Sequence, residues 1–333
     1  MTNPSWWLYR GDGVPIGDVG LPEPPPWRAF EGGPLQPPPP DDAAEVNRKL
    51  GRADGPLARQ ADARECDLVN ASILLRRPLL VTGSPGAGKS AIAFRIAREL
   101  GLGRVLQWPI TSRTTLRAGL YEYDAVGRAQ YAIGRGAGDA DPSVGDFIRL
   151  GALGTALLSY ERPRVLLIDE LDKSDVDLPN DLLHIFENGE FTVPELVRIR
   201  RFESRVQVYT DDPDRLAEVH DGRVRCRAFP IVIITSNGER EFPPAFLRRC
   251  LRLELSPPSA DDLAAMIHAQ LPILADAQRD LITDFLNRPA GDALARDQLL
   301  NATFLTASGA YAEDREAWQN LVTAVWHSLS LER

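Results

Sequence analysis

The stretch GSPGAGKS, Gly83 to Ser90, has the apolar run PLLVT (78–82) before it and SAIAFRIAREL (90–100) after it. It matches the pattern G-x-x-x-x-G-K-[ST] in full, between a predicted strand and a predicted helix. Glycines at 83, 86 and 88 leave the backbone free to wrap an anion with its N–H groups, and the start of a helix adds partial positive charge. The loop Gly83, Ser84, Pro85, Gly86, Ala87, Gly88, Lys89 and Ser90, with Ala91 behind it, is therefore read as a nucleotide-binding element. Lys89 is expected to reach the β- and γ-phosphates of ATP, and the Ser90 hydroxyl to ligate Mg2+.

Further along lies VLLIDE (165–170), four apolar residues and then two carboxylates. Such a run reads as a buried strand whose acids stand at the carboxyl edge of an open α/β sheet, where ligands bind. Asp169 is expected to hold Mg2+, and Glu170 to orient or deprotonate an attacking water. A third run, IVIITSNGEREFPPAFLRRC (231–250), is a buried strand ending in Thr235, Ser236 and Asn237, with Arg248 and Arg249 after a short helix. Beside the VLLIDE strand it would aim Asn237 at the water and γ-phosphate. The arginine pair reads either as a solvated face or as a finger completing a neighbour's site.

Five apolar runs, PLLVT, RVLQW (104–108), RVLLI (164–168), FPIVIIT (229–235) and LRLEL (251–255), alternate with helical stretches. That pattern predicts a five-stranded parallel sheet buried on both faces. The stretch RECDLVNASILLRR (64–77) predicts a helix ended by Pro78. Residues 259–330, net charge −6, show helical periodicity. Residues 1–40 hold 11 of the 27 prolines and three of the six tryptophans. Polyproline stays extended, but disordered segments are poor in Trp, so this arm is expected to dock on its own body or on a neighbour. The predicted division is an arm at 1–40, an α/β ATPase core at 41–256 and a helical lid at 257–333.

The 333 residues carry 38 Lys and Arg against 47 Asp and Glu, a net charge of −9. This acidity speaks against a nucleic-acid partner. No apolar run approaches the roughly 18 residues needed to span a bilayer, and no signal peptide is visible, so a cytoplasmic protein is expected. Cys66, Cys226 and Cys250 are too few and too scattered for a disulfide scaffold or zinc site. His184, His220, His268 and His327 are isolated, and His184, in DLLHIF, is expected to pack. No metal besides Mg2+ is expected. Asp172 to Asp175 (DKSD) lacks the leading Asn of a guanine-reading motif and lies beside VLLIDE, which counts against a GTPase.

The three elements in this order resemble an AAA+ ATPase, with Walker A at 83–90, Walker B at 165–170, sensor 1 at Asn237 and an arginine finger at Arg249 or Arg248. Within that superfamily, VLLIDELDKSDVDLPNDLLHIFENGEFTVPEL (165–196) and TSNGEREFPPAFLRRC (235–250) resemble the MoxR-like branch, the likeness covering about 70–320. It implies a P-loop core with a small all-α lid, Mg-ATP hydrolysis and a hexameric ring acting on a protein client. WPITSRTTLRAGLYEYDAVGR (108–128) and the glycine-rich GRGAGDADPSVGD (134–146) resemble that branch's pore-facing helix-two insert, where Tyr121 and Tyr123 either touch a client or pack locally. GEFTVPEL (189–196) resembles the hairpin before sensor 1. The arginines at 198, 200, 201 and 205, and at 223, 225 and 227, are either a solvated face or a contact for an acidic partner or a neighbour's acidic lid. The lid departs from the branch: Arg296, in GDALARDQLLNA (291–302), is a sensor 2 candidate without the usual motif. The WWLYRGDGVP arm resembles MoxR-like ATPases paired with von Willebrand A-type proteins in bacterial conflict systems. Two other readings stand beside the remodelling ATPase: a low-turnover nucleotide switch or scaffold, and a nucleic-acid motor or loader.

Overall fold

In the computed structural model, residues 4–17, 20–52, 61–134, 142–257, 259–270 and 296–307 are described. The strands are β1 (Leu79–Thr82), β2 (Leu106–Pro109), β3 (Tyr121–Tyr123), β4 (Ile148–Leu150), β5 (Val165–Asp169), β6 (Glu190–Thr192), β7 (Arg205–Tyr209), β8 (Leu216–His220), β9 (Arg223–Arg225), β10 (Ile231–Ser236) and β11 (Leu251–Glu254). Five of them form one sheet in the order β11-β1-β10-β5-β2, every neighbouring pair parallel. All five are the predicted apolar runs. Counted alone they run 5-1-4-3-2, so the strands carrying the phosphate loop and the acids flank β10. All six residues of β10 are buried, as a central strand covered on both faces requires.

The helix Ala91–Leu100 follows the loop with Ile92, Phe94, Ile96 and Leu100 buried, and Gly101 ends it in a left-handed conformation, φ 59°. It packs against β5 and the helix Ala43–Leu50. The predicted helix before β1 spans Ala63–Leu75. Asp62 caps it by accepting from the Glu65 N–H, and Arg76, at φ 52°, turns the chain toward Pro78.

A second sheet, in the order β3-β4-β7-β8-β9-β6, lies outside the sequence expectations. Its strands bury Val206, Val208, Ala217, Val219, Val224 and Phe191 on one face and turn Arg, Glu and Gln outward. Their inner face merges with the core beneath β5 and β10. GEFTVPEL opens as β6 and then turns into the helix Pro194–Ile199; the long hairpin before β10 is β7–β8. Tyr121 and Tyr123 pack locally. Tyr121 is buried, stacks on Phe191 at 6.5 Å and donates to Glu195, while Tyr123 accepts from Arg128. His184 is a correction: it is exposed and faces Asn188, because Leu182, Ile185 and Phe186 form the buried stripe of the helix Leu178–Asn188.

The N-terminal residues lie against the body. The Asn70 amide oxygen accepts from the N–H groups of Leu8 and Tyr9, and its Nδ2 donates to the Tyr9 carbonyl. The Tyr9 ring is fully buried, with its hydroxyl donating to Glu65. Glu99, near the end of the helix after the phosphate loop, accepts from the N–H groups of Arg10, Gly11 and Gly13. Arg28 donates to the carbonyls of Arg76 and Phe186 and stacks over Phe229 at 4.3 Å. Helices at Ala260–Gln270 and Arg296–Ala307 follow β11. The Arg296 side chain, His327, most of the glycine-rich loop and most of the expected lid lie outside the described residues. Among the described residues no helix is long and apolar enough to cross a membrane.

Candidate active site

The loop after β1 turns through glycines with positive φ at 83, 86 and 88. At Gly83, φ is 150° and an added Cβ would stand 2.7 Å from the Leu255 carbonyl oxygen, so β11 presses on the loop from behind. The chain then enters the helix at Ala91, leaving Lys89 and Ser90 at its start.

Lys89 Nζ donates to three oxygens: the carbonyls of Gly83 and Ser84, both at 2.9 Å, and Asn237 Oδ1 at 2.7 Å. These use all three ammonium protons. Burial pushes the Lys89 ammonium below its ordinary value, and the carboxylates of Asp172, Asp169 and Glu170 oppose that shift.

Register sets the acidic half. β10 pairs with β5 as Ile234 to Ile168, which brings Thr235 beside Asp169. Asp169 Oδ1 accepts from Ser90 Oγ at 2.7 Å and Thr235 Oγ1 at 2.6 Å. Thr235 Oγ1 also accepts the Glu170 N–H at 2.8 Å. Glu170 has φ 61° and ψ 49°, a left-handed conformation that costs a non-glycine residue about 1–2 kcal/mol. It turns the chain sharply out of β5 at the cleft. The Glu170 carboxylate accepts from Lys173 Nζ at 2.7 Å, and Asn237 Nδ2 stands 3.5 Å away. Lys173 is raised above the ordinary lysine value by that bond.

Asp172 closes the arrangement. It is buried, and its Oδ2 accepts from the N–H groups of Asn237 at 2.9 Å and Glu239 at 3.1 Å. Its Oδ1 is buried without a hydrogen-bond partner among the described residues. The sequence reading weighed Asp172 only as part of a guanine-reading lookalike, and it assigned no role to Thr235 or Lys173. A polar residue ending an all-apolar strand, as in IVIIT, signals Thr235. Nothing in the spelling signals Asp172, because it works through backbone N–H groups.

The structure thus gathers Lys89, Ser90, Asp169, Glu170 and Asn237 around a cleft of about 260 Å³, also lined by Pro85, Gly86, Gly88, Ala91 and Thr235. A larger cavity, about 1270 Å³, lies at the other edge of the sheet between the arm and Gly101–Gly103. It contains none of these groups. Arg248 and Arg249 are not brought to the cleft. The Arg249 guanidinium pairs with Glu187 and donates to the Ala245 carbonyl. The Arg248 side chain is exposed and makes no hydrogen bond or ion pair among the described residues. Arg77 holds the backbone carbonyls of both.

For a divalent cation the donors fit Mg2+. The Ser90 hydroxyl and the Asp169 carboxylate are hard oxygen ligands 2.7 Å apart, and Asp169 Oδ2 takes no hydrogen bond among the described residues.

A phosphate loop facing a strand-end acid on a 5-1-4-3-2 parallel sheet defines a P-loop nucleoside-triphosphatase of the AAA+ class. The chain belongs to the AAA domain family, dynein-related subfamily, whose model matches residues 78–250. Among solved structures it is similar to NtrX from Brucella abortus in complex with ATP: TM-score 0.38, 13% identity, 81% of this chain and 56% of that one. The ADP complex of the same protein gives 0.33 and 14%, over 69% and 46%. The chain thus spans about half the length of those structures. No curated protein matches it.

Proposed function

We propose that the protein is a Mg2+-dependent ATPase whose site comprises Lys89, Ser90, Asp169, Glu170 and Asn237. The observation that carries this reading is the meeting of the phosphate-loop hydroxyl Ser90 with Asp169, beside Lys89 held by Asn237. The loop N–H groups of residues 83–90 and Lys89 bind the β- and γ-phosphates. Ser90 and Asp169 hold Mg2+, which when bound neutralises charge on the phosphate oxygens. Glu170 takes the proton of the attacking water, and its bond to Lys173 is exchanged as it does so. Asn237, fixed through its own N–H, orients that water and the γ-phosphate.

An arginine finger from Arg249, or Arg248, completes the site of a neighbouring subunit. What supports it is that neither guanidinium faces its own cleft, while both are accessible at the surface. This reading requires an oligomer, and the MoxR-like resemblance supports a hexameric ring. That resemblance also supports the division into an arm (1–40), an ATPase core (41–256) and a lid (257–333), a protein client, and a von Willebrand A-type partner. A low-turnover switch is the second reading, favoured by the pairing of Arg249 with Glu187.

The test is steady-state ATP hydrolysis with Mg2+ across protein concentration, beside Glu170→Gln and Arg249→Ala. Specific activity rising with concentration, and loss of activity in both variants, is the expected outcome. Nucleotide binding with no turnover above Glu170→Gln at any concentration would replace the enzyme with the switch.

A further inference from the structure

The outer face of the second sheet carries charge in a pattern that its strand pairing creates. Arg205 on β7 stands opposite His220 on β8, and His220 opposite Arg223 on β9. Their neighbours Val206, Val219 and Val224 point into the core, so all three face outward in one row across the sheet. Arg225 lies two residues along β9 on the same face. The turn after the helix Pro194–Ile199 adds exposed Arg200 and Arg201, and places Phe202 beside them with 92% of its surface in solvent. Gly32, Gly33 and Pro34 of the arm form the opposite wall. Between these parts lies a cleft of about 710 Å³ lined by Arg200, His220, Asp221, Arg223 and Arg225.

Few of these cations are matched within the chain. Arg200, Arg205, Arg223 and Arg227 make no ion pair or hydrogen bond through their side chains among the described residues, and Arg225 has only Glu31 at 3.9 Å. Gathering guanidiniums this way is unfavourable without an anion, and an Arg fork offers paired donors to a carboxylate. The same face carries Glu218 next to His220 and Glu190 opposite Arg225. The positive charge is therefore confined to one end of the sheet and broken by acids. A nucleic-acid backbone needs an unbroken basic track, and the chain's net charge of −9 opposes it at long range. Separate carboxylates on a polypeptide fit a short, interrupted basic cleft.

We propose that this cleft is the docking site for an acidic, extended segment of a partner polypeptide, gripped by Arg200, Arg223 and Arg225. The proposal deepens the reading of a protein-remodelling ATPase and rests on it for the purpose of docking. Its test is read without hydrolysis, so the two fail separately.

Anisotropy of two labelled probes would be measured on the full chain: a peptide of alternating Glu and Ala, and an oligo-dT of matched charge. Each would be repeated on the combined variant Arg200→Ala, Arg223→Ala, Arg225→Ala. Thermal midpoint and far-ultraviolet circular dichroism, which the variant leaves unchanged, establish that it is folded. The peptide is expected to bind about 10-fold more weakly to the triple variant, and to lose affinity between about 0.05 and 0.5 M salt. The oligonucleotide is expected to bind both forms equally poorly. Oligonucleotide binding that the triple variant abolishes would overturn the proposal in favour of a nucleic-acid site. Peptide binding that is absent, or equal in wild type and triple variant, would reduce the cleft to a solvated face. An ATPase test that fails while peptide docking succeeds would overturn the enzyme reading and leave the docking site standing.

Discussion

Asp172→Ala probes the link between Walker B and Asn237 without touching a residue that meets phosphate or water. Asp172 holds two backbone N–H groups, those of Asn237 and Glu239, at 2.9 and 3.1 Å. Hydrogen bonds to a charged group contribute about 1.5–3 kcal/mol each, so removing both frees the 237–239 turn by about 3 kcal/mol at the lower end. The Asn237 side chain, which bridges Lys89 and Glu170, then samples positions in which it orients nothing. If that freedom is restrained again only in the transition state, kcat falls on the order of 100-fold, at about 1.36 kcal/mol per decade. Phosphate-loop contacts remain, so nucleotide affinity stays within about 3-fold, measured with a fluorescent ADP analogue. Hydrogen exchange at the Asn237 and Glu239 amides accelerates. Asp172→Asn keeps an acceptor and restores most of kcat. Unchanged exchange at those amides, or affinity falling as far as kcat, would refute the assigned role.

Burial pushes the thiols of Cys66, Cys226 and Cys250 up to about 12, so at pH 8 all three resist alkylation until the chain is denatured. Cys66 lies beneath the arm, its Sγ donating to the Arg10 carbonyl, and removal of residues 1–17 should expose one fast-reacting thiol, counted by mass spectrometry. Asp212→Asn breaks the pair with Arg164, which is fully buried and held at 2.7 Å; a loss of about 3–5 kcal/mol in denaturant unfolding is expected, against about 1 for an exposed pair. Burial also raises Glu99 above the usual carboxylate value, with the arm's three N–H groups pulling the other way. A raised folded-state value means that its contribution to stability is full below about pH 4.3 and is lost as pH rises through the folded value. The stability difference between wild type and Glu99→Gln should therefore shrink or reverse as pH rises from about 4 to 7, read from urea midpoints.

The five core strands were legible because burial on both faces leaves continuous apolar runs, and runs such as VLLI and IVII have few other readings. The second sheet was not. RVQVY, LAEVH and RVR alternate, are three to five residues long and carry charged or polar side chains on the outer face, so none of them makes a continuous apolar run. Within the site, Lys89, Ser90, Asp169 and Glu170 were legible because a phosphate loop and a strand-end acid pair have a spelling. Thr235 and Asp172 act through register and through backbone N–H groups, which depend on which strands become neighbours.

The arm's grip on the body has a consequence for the order of events during synthesis. Arg28 leaves the ribosome about 200 residues before Phe229, the ring it stacks on. At typical elongation rates that is roughly 10–40 s during which the Arg28 segment lacks that ring, although Asn70 and Glu99, which hold residues 8–13, are made much earlier. Pro37 to Pro40 and the other prolines keep it extended and unable to pair wrongly while it waits. The Arg28 segment therefore closes over the domain after residues 8–13 have docked, and a nascent chain stalled before residue 229 should carry that segment loose and open to protease.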